Sequence, residues 1–316
     1  MYKIGIDLGG TNIAAGVINE KFEIIGRGKR KTNLPRPAQE IFDDMALAAR
    51  DAVKDAGLDM KDIESVGVGI PGSINKTTGN IEYSNNLDFY MVPARKMLSA
   101  LLDNKPVFLD NDANAAALGE AYAGAGKGFK DFVAITLGTG VGSGVIVGGK
   151  LVSGCGDSAG EYGHTVICVD GEPCNCGRKG CWEVYASATA LIRQTKAKML
   201  LCRDSKMWEI VEGDIEKVSG RTAFLAQKAG DKAGKEVVDS YIYYIAVGVT
   251  NIVNALQPDI ICIGGGISNE KDNLILPLTD YVMKEVYNKT PGRTTKIVTA
   301  QLGNDAGIIG AALLES

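Results

Sequence analysis

The chain has 316 residues, 45% hydrophobic and 23% charged, with a formal net charge of −4. That length can bury a large core and suffices for two domains, and the acidic balance argues against a nucleic-acid or membrane surface as the main partner. No apolar run approaches the roughly 20 residues of a membrane helix; Met1-Tyr2-Lys3 leading straight into a strand fits no signal peptide; and seven cysteines, three of them crowded between 174 and 181, suit a reducing cytoplasm and a metal site better than a secreted disulfide framework.

Glycine is abundant: 40 residues, about twice the usual share of roughly 7%, gathered in short clusters. The first cluster closes a strand over Ile4–Leu8 and reads Asp7-Leu8-Gly9-Gly10-Thr11-Asn12. Gly9 and Gly10 are expected to turn with positive φ and to let the backbone approach a ligand. Converging N–H groups in such a turn bind anions, and Thr11 and Asn12 add side-chain donors. The residues that follow, Ile13 to Asn19, are β-like, so the turn predicts a hairpin and not the strand-to-helix entry of a dinucleotide or P-loop site. Residues 132–153 repeat the pattern of 4–25, Leu137-Gly138 falling on Leu8-Gly9. Two copies about half a chain apart predict two domains of like fold, each offering a glycine turn to one phosphate chain.

Between the copies, apolar residues at helical spacing predict a helix over 38–56, ended by Gly57. A strand over 64–70 is broken by Pro71-Gly72, at a sheet end where α/β folds bind small ligands. Tyr83 to Asp88 reads as a polar loop; its paired asparagines, Asn85 and Asn86, suit hydroxyl recognition or simple turn formation. A buried strand over 107–109 leads into Asp110-Asn111-Asp112-Ala113-Asn114 and a small-residue helix over 115–123. Capping that helix needs only one such residue. A second acid at a strand's carboxyl end can accept a hydroxyl proton during phosphoryl transfer.

The densest stretch follows the second copy. Gly160-Glu161-Tyr162-Gly163-His164 holds the only histidine, and Cys174, Cys176 and Cys181 come next, before Trp182-Glu183. Three cysteines and one histidine complete a tetrahedral zinc site with no open position, which makes the metal structural. It would stiffen a loop carrying Glu161 and Glu183 and leave the second imidazole nitrogen able to meet a ligand. Helices are predicted over 185–201, 221–229 and 234–256, the last stopped by Pro258. A strand over 259–263 then runs into Gly264-Gly265-Gly266, a bare backbone suited to a nucleoside. Another strand covers 296–298, and a small-residue helix over 305–314 is expected to return to the first domain. Residues 202–220 carry no functional signal. A dinucleotide oxidoreductase, prompted by Gly138-Thr139-Gly140, is disfavoured because strand follows those glycines and no acid stands at the needed second-strand end.

As a set, in this order and over essentially the whole chain, these motifs resemble the ROK family of actin-like sugar kinases. DLGGTN (7–12) matches its first phosphate motif, LGTGVGSG (137–144) its second and CIGGGIS (262–268) its adenosine motif. CxCGxxGCxE is the most specific match, and CGRKGCWEVYAS is similar to the bacterial glucokinases of the family. The resemblance implies an α/β, actin-like (ribonuclease H-like) duplicated two-domain fold with a cleft between domains, 1–111 plus 300–316 forming the smaller and 112–299 the larger, zinc-bearing one. It implies an ATP-dependent glucokinase in which Asp112 deprotonates the 6-hydroxyl. Gly72, Asn86, Asn111, Asp112, Glu161, His164 and Glu183 would hold the sugar. Gly9, Gly10, Thr11, Asn12, Thr139 and Gly140 would cradle the phosphates, Asp7 would hold Mg²⁺ through water, and Gly265 and Gly266 would lie against the nucleoside. His164, Cys174, Cys176 and Cys181 would bind Zn²⁺. Homodimers or homotetramers are usual in the family. A kinase for another hexose (N-acetylmannosamine, fructose or allose) and a non-catalytic sugar sensor stay open beside this reading.

Overall fold

Strands β1 (Tyr2–Leu8), β2 (Asn12–Ile18) and β3 (Ile24–Lys31) form an antiparallel meander, in a computed structural model that describes residues 1–290, 292 and 294–314. Helix α1 (Ala38–Asp55) buries Ile41, Phe42, Met45, Ala48, Ala49 and Ala52, the recurrence that one helical face requires. It ends in a Schellman turn: Gly57 lies at φ 70°, its N–H bonds Lys54 O at 3.0 Å, and Leu58 N–H bonds Val53 O at 3.1 Å. Next come β4 (Ile63–Ile70), β5 (Ser73–Asn75), β6 (Asn80–Ser84), β7 (Phe89–Val92), α2 (Ala94–Leu101), β8 (Val107–Asn111) and α3 (Asp112–Ala123). A second meander follows, β9 (Phe132–Leu137), β10 (Val141–Val147) and β11 (Lys150–Leu151). Helices α4 (Glu183–Ala186), α5 (Ala188–Leu201), α6 (Met207–Ile210), α7 (Thr222–Lys228) and α8 (Lys232–Leu256) lead to β12 (Ile260–Gly264), α9 (Asp272–Glu285), β13 (Lys296–Thr299) and α10 (Asp305–Ala312).

The two main sheets have orders β3-β2-β1-β4-β8 and β11-β10-β9-β12-β13. Each therefore runs third-second-first-fourth-fifth in its own strands, the same path twice. The β1–β4, β4–β8 and β12–β13 pairs are parallel. Strands β5, β6 and β7 form a separate small sheet.

By its contacts the chain divides into two units. The first holds Met1–Ala134, Gly144–Gly160 and the chain from Ala300 onward; the second holds Ile135–Ser143 and Glu161–Thr299. The division passes through β9 and β10 and keeps α3 with the first unit, whereas the sequence expectation begins the second domain at 112. The reason is packing: α3 and α10 meet at backbone distance, so that a Cβ on Gly119 or Gly310 would overlap the Ala306 or Ala115 carbonyl. Within the first unit α10 also lies directly on the sheet, where a Cβ on Gly5 or Gly67 would overlap the carbonyls of Ile308 and Ala311. The alternating small residues of β1 and β4 thus make a floor for the tail helix.

Four local features differ from expectation. Tyr83 and Ser84 end a strand, leaving only 85–88 as the turn; β6 buries Ile81 and Ser84 and exposes Tyr83, a short run with no period of two for a sequence to show. Helix α3 starts at Asp112, three residues earlier than predicted, because Asn111 caps it. The helix predicted over 185–201 is two, broken at Ser187, whose backbone is extended and whose hydroxyl accepts the Ala190 N–H at 3.1 Å. Helix α9 is unforeseen, since Pro277 inside it reads as a stop. Among the described residues no helix is long and apolar enough to cross a membrane.

Candidate active site

In the first unit, the β1–β2 turn carries Gly9, Gly10 and Thr11. Contrary to expectation neither glycine has positive φ. The turn closes through Gly9 N–H on Asn12 O at 2.9 Å, and a Cβ on Gly10 would meet nothing within 4 Å. Gly10 thus leaves open space in front of the backbone; a left-handed conformation is not what it supplies. Buried Thr32 braces the turn, its hydroxyl on Gly9 O at 2.6 Å and its N–H on Thr11 O at 3.0 Å. Sequence reasoning passed over Thr32. Only the register, which sets neighbouring Lys31 opposite Asn12, brings it to the turn.

Asp7 ends β1 on the side where α10 packs, against Gly307. Burial, and then the charge of Asp112, push its pKa up to about 6. Asp112 stands at the first position of α3, its Oδ1 accepting the Ala113 N–H at 2.9 Å. Burial raises its pKa, against the opposing pull of the backbone N–H groups of Ala113 and Asp112. Two hard carboxylates that resist ionising together form a donor set that a divalent cation such as Mg²⁺ would relieve. Asn111 is spent on structure at both ends: Oδ1 accepts the Ala113 and Asn114 N–H groups at 2.8 and 3.4 Å, and Nδ2 donates to Gly72 O at 3.1 Å. Its amide therefore holds Gly72 and the start of α3 in one piece. Asn86 is exposed in the β6–β7 turn.

In the second unit, the β9–β10 turn holds Gly138, exposed Thr139 and Gly140. Ala188 N–H bonds Gly138 O at 2.8 Å and Thr189 Oγ1 bonds Thr139 O at 2.8 Å, which ties the start of α5 to this turn. Glu183 Oε2 accepts the Val141 N–H at 2.9 Å and lies so close to Gly140 that a Cβ there would overlap it. The residue predicted for the sugar thus also supports the second glycine turn. The 161–164 segment adjoins the same turn: Tyr162 N–H bonds Ser143 Oγ at 3.1 Å, and His164 N–H closes on Glu161 O at 3.1 Å. Glu161 itself is exposed. The third turn follows β12, where Gly265 at φ 81° lies against the backbone of Leu137 and Gly266 faces open space.

His164, Cys174, Cys176 and Cys181 come together as predicted, their ligand atoms all within 4.8 Å of one another. His164 Nδ1 is 3.7 Å from Cys174 Sγ, and Cys176 Sγ is 3.6 Å from Cys181 Sγ. A tetrahedron with zinc–sulfur bonds of ~2.3 Å has edges of about 3.8 Å, so the four residues fit that ion. Burial pushes the Cys181 thiol up to about 12, and a coordinated cation would hold such a thiol deprotonated. Since Nδ1 faces the cluster, Nε2 is left for other partners. Trp182, fully buried next to Cys181, donates Nε1 to Tyr244 O at 2.8 Å and so fastens the loop to α8.

The doubled sheet path, with a glycine turn at the head of each copy, defines the actin-like, ribonuclease H-like duplicated α/β class. The sequence profile described as ROK family matches residues 3–316, and the chain belongs to the ROK family. It is 37% identical to a glucokinase of Halalkalibacterium halodurans over 317 aligned positions, covering 98% of this chain and 94% of that protein. A Thermotoga maritima glucokinase is 36% identical, with 98% and 95% covered. The crystal structure of a ROK family glucokinase from Streptomyces griseus in complex with glucose and AMPPNP superposes with a TM-score of 0.84 at 32% identity, covering 99% of this chain and 98% of that one.

Proposed function

We propose that the chain is an ATP-dependent glucokinase, transferring the γ-phosphoryl group of ATP to the 6-hydroxyl of glucose. The observation that carries this is Asp112: a carboxyl at the first position of α3, just past β8, whose proton affinity burial raises, as a base for a hydroxyl proton needs. Asp112 takes that proton as the oxygen attacks phosphorus, and ADP leaves. Asp7 would hold Mg²⁺ through water, and the ion would neutralise charge on the phosphates. Gly9, Gly10, Thr11, Asn12, Thr139 and Gly140 cradle the phosphates, with Gly265 and Gly266 against the nucleoside. Gly72, Asn86, Asn111, Asp112, Glu161, His164 and Glu183 take the sugar; carboxylates and amides suit vicinal hydroxyls because each can engage two at once. Zn²⁺ on His164, Cys174, Cys176 and Cys181 is structural. The protein works in the cytoplasm as a homodimer or homotetramer, without nucleic acid or membrane.

The relatives named glucokinase, one of them crystallised with glucose and an ATP analogue, support the reading. The test is a hexose panel with ATP-Mg²⁺, scored by kcat/KM. Glucose should lead; a preference for another hexose replaces the substrate, and glucose binding without ADP release makes the chain a sensor. Asp112→Asn should lower kcat by about 10²–10⁴-fold with glucose binding retained. Unchanged turnover removes Asp112 from the mechanism.

A further inference from the structure

Asp110, the residue before the Asn111-Asp112 pair, is buried and takes no part in the chemistry above. Its two oxygens are nonetheless fully engaged. Oδ1 accepts the Asn111 N–H at 2.7 Å and Asn114 Nδ2 at 2.9 Å. Oδ2 pairs with Lys76 Nζ at 2.5 Å. The same ammonium donates to Ser153 Oγ at 2.6 Å, and the Lys76 backbone N–H donates to Asp157 Oδ2 at 3.0 Å. Lys76, in the turn after β5, thus joins the end of β8 to the 153–157 stretch, all within the first unit.

An ion pair whose carboxylate is buried and whose lysine is half-buried is weak support for folding, because desolvation offsets much of its attraction. What the pair supplies here is geometry. Asp110 fixes the Asn111 backbone and the Asn114 side chain, Asn111 fixes Gly72 and the helix cap, and Asp112 stands between these anchors. We propose that Lys76 is a positioning residue for phosphoryl transfer, its ammonium locking the end of β8 so that Asp112 is aimed at the hydroxyl. The proposal rests on the glucokinase reading.

The test uses the full chain with ATP-Mg²⁺ and the best hexose of the panel. Lys76→Met should lower kcat by about 10²-fold, the scale of a small misplacement of a reacting group, while KM for ATP and the calorimetric affinity for the sugar stay near wild type. Lys76→Arg, which keeps the cation, should recover most of the loss. Should Lys76→Met fail to fold, the double variant Lys76→Met/Asp110→Asn, with no unpaired buried charge, decides: it should unfold near the wild-type temperature yet remain slow. A folded single or double variant with wild-type kcat overturns the proposal, as does an Arg variant as slow as Met. Wild-type turnover in the same assay reads the glucokinase assignment separately, so the two ideas cannot fail unnoticed together.

Discussion

At the residue scale the tension between Asp7 and Asp112 has measurable consequences. Asp7 is raised from 3.8 to about 6 in the folded chain, so between those values the folded state binds the extra proton. Its ionised form therefore destabilises the ligand-free protein above about pH 6, and the deficit disappears as pH falls below the unfolded value. Asp7→Asn should accordingly stabilise the ligand-free protein at pH 8 by about 3 kcal/mol, with the gain gone by about pH 4, in urea melts across pH. The same substitution should abolish turnover and any Mg²⁺-dependent rise in Tm. In the proposed role of base, Asp112 would have to be ionised, and its raised pKa should then place the acid limb of kcat/KM above the ordinary carboxylate range. A limb near pH 4, the unperturbed value, would contradict this. Both acids were legible in the sequence, since each stands beside a glycine turn or an asparagine at a strand end. Thr32 and Lys76 were not, because their partners lie 23 and 34 positions away and only strand register and the fold bring them near.

At the element scale, α10 shows what the glycines of β1 and β4 are for. Gly67→Ala would push a methyl into the Ala311 carbonyl and should destabilise by about 1–3 kcal/mol or more, read in urea unfolding. Glu120, buried in α3, accepts the N–H groups of Ala125, Gln301 and Leu302 at 2.9, 3.0 and 2.7 Å, which anchors the chain just ahead of α10. Glu120→Ala strands three part-buried donors and should cost about 1–3 kcal/mol without touching a site residue. The loop holding His164 and the three cysteines makes a third case. Elemental analysis should find one zinc per chain, and a strong chelator should suppress activity by freeing the strand-like bridge between Cys181 and Val166. Full activity without zinc would contradict the structural role. Helices with a continuous apolar face, α1 and α8, were readable from periodicity. The break at Ser187 and the proline-bearing α9 were not, because a cap hydroxyl and a tolerated proline are decided by tertiary surroundings.

For the molecule as a whole, duplication was the legible feature: two glycine hairpins with like flanks announced two sheets of one topology. Where the chain parts into units was not legible, because it does so inside β9 and β10, in mid-strand, where composition does not change. The expectation of a left-handed Gly9 and Gly10 failed for a related reason: sequence records that a side chain is missing, not whether torsion or space required it. Gly140 belongs to the second kind, its missing methyl occupied by the Glu183 carboxylate. If Glu183 holds the acceptor and the β9–β10 turn the donor, as proposed, then replacing Glu183 to retune acceptor choice will disturb that turn as well. Selection for a new sugar through that position should drag donor affinity with it, and a lineage changing its diet would sooner vary Asn86, which stands on an exposed bend.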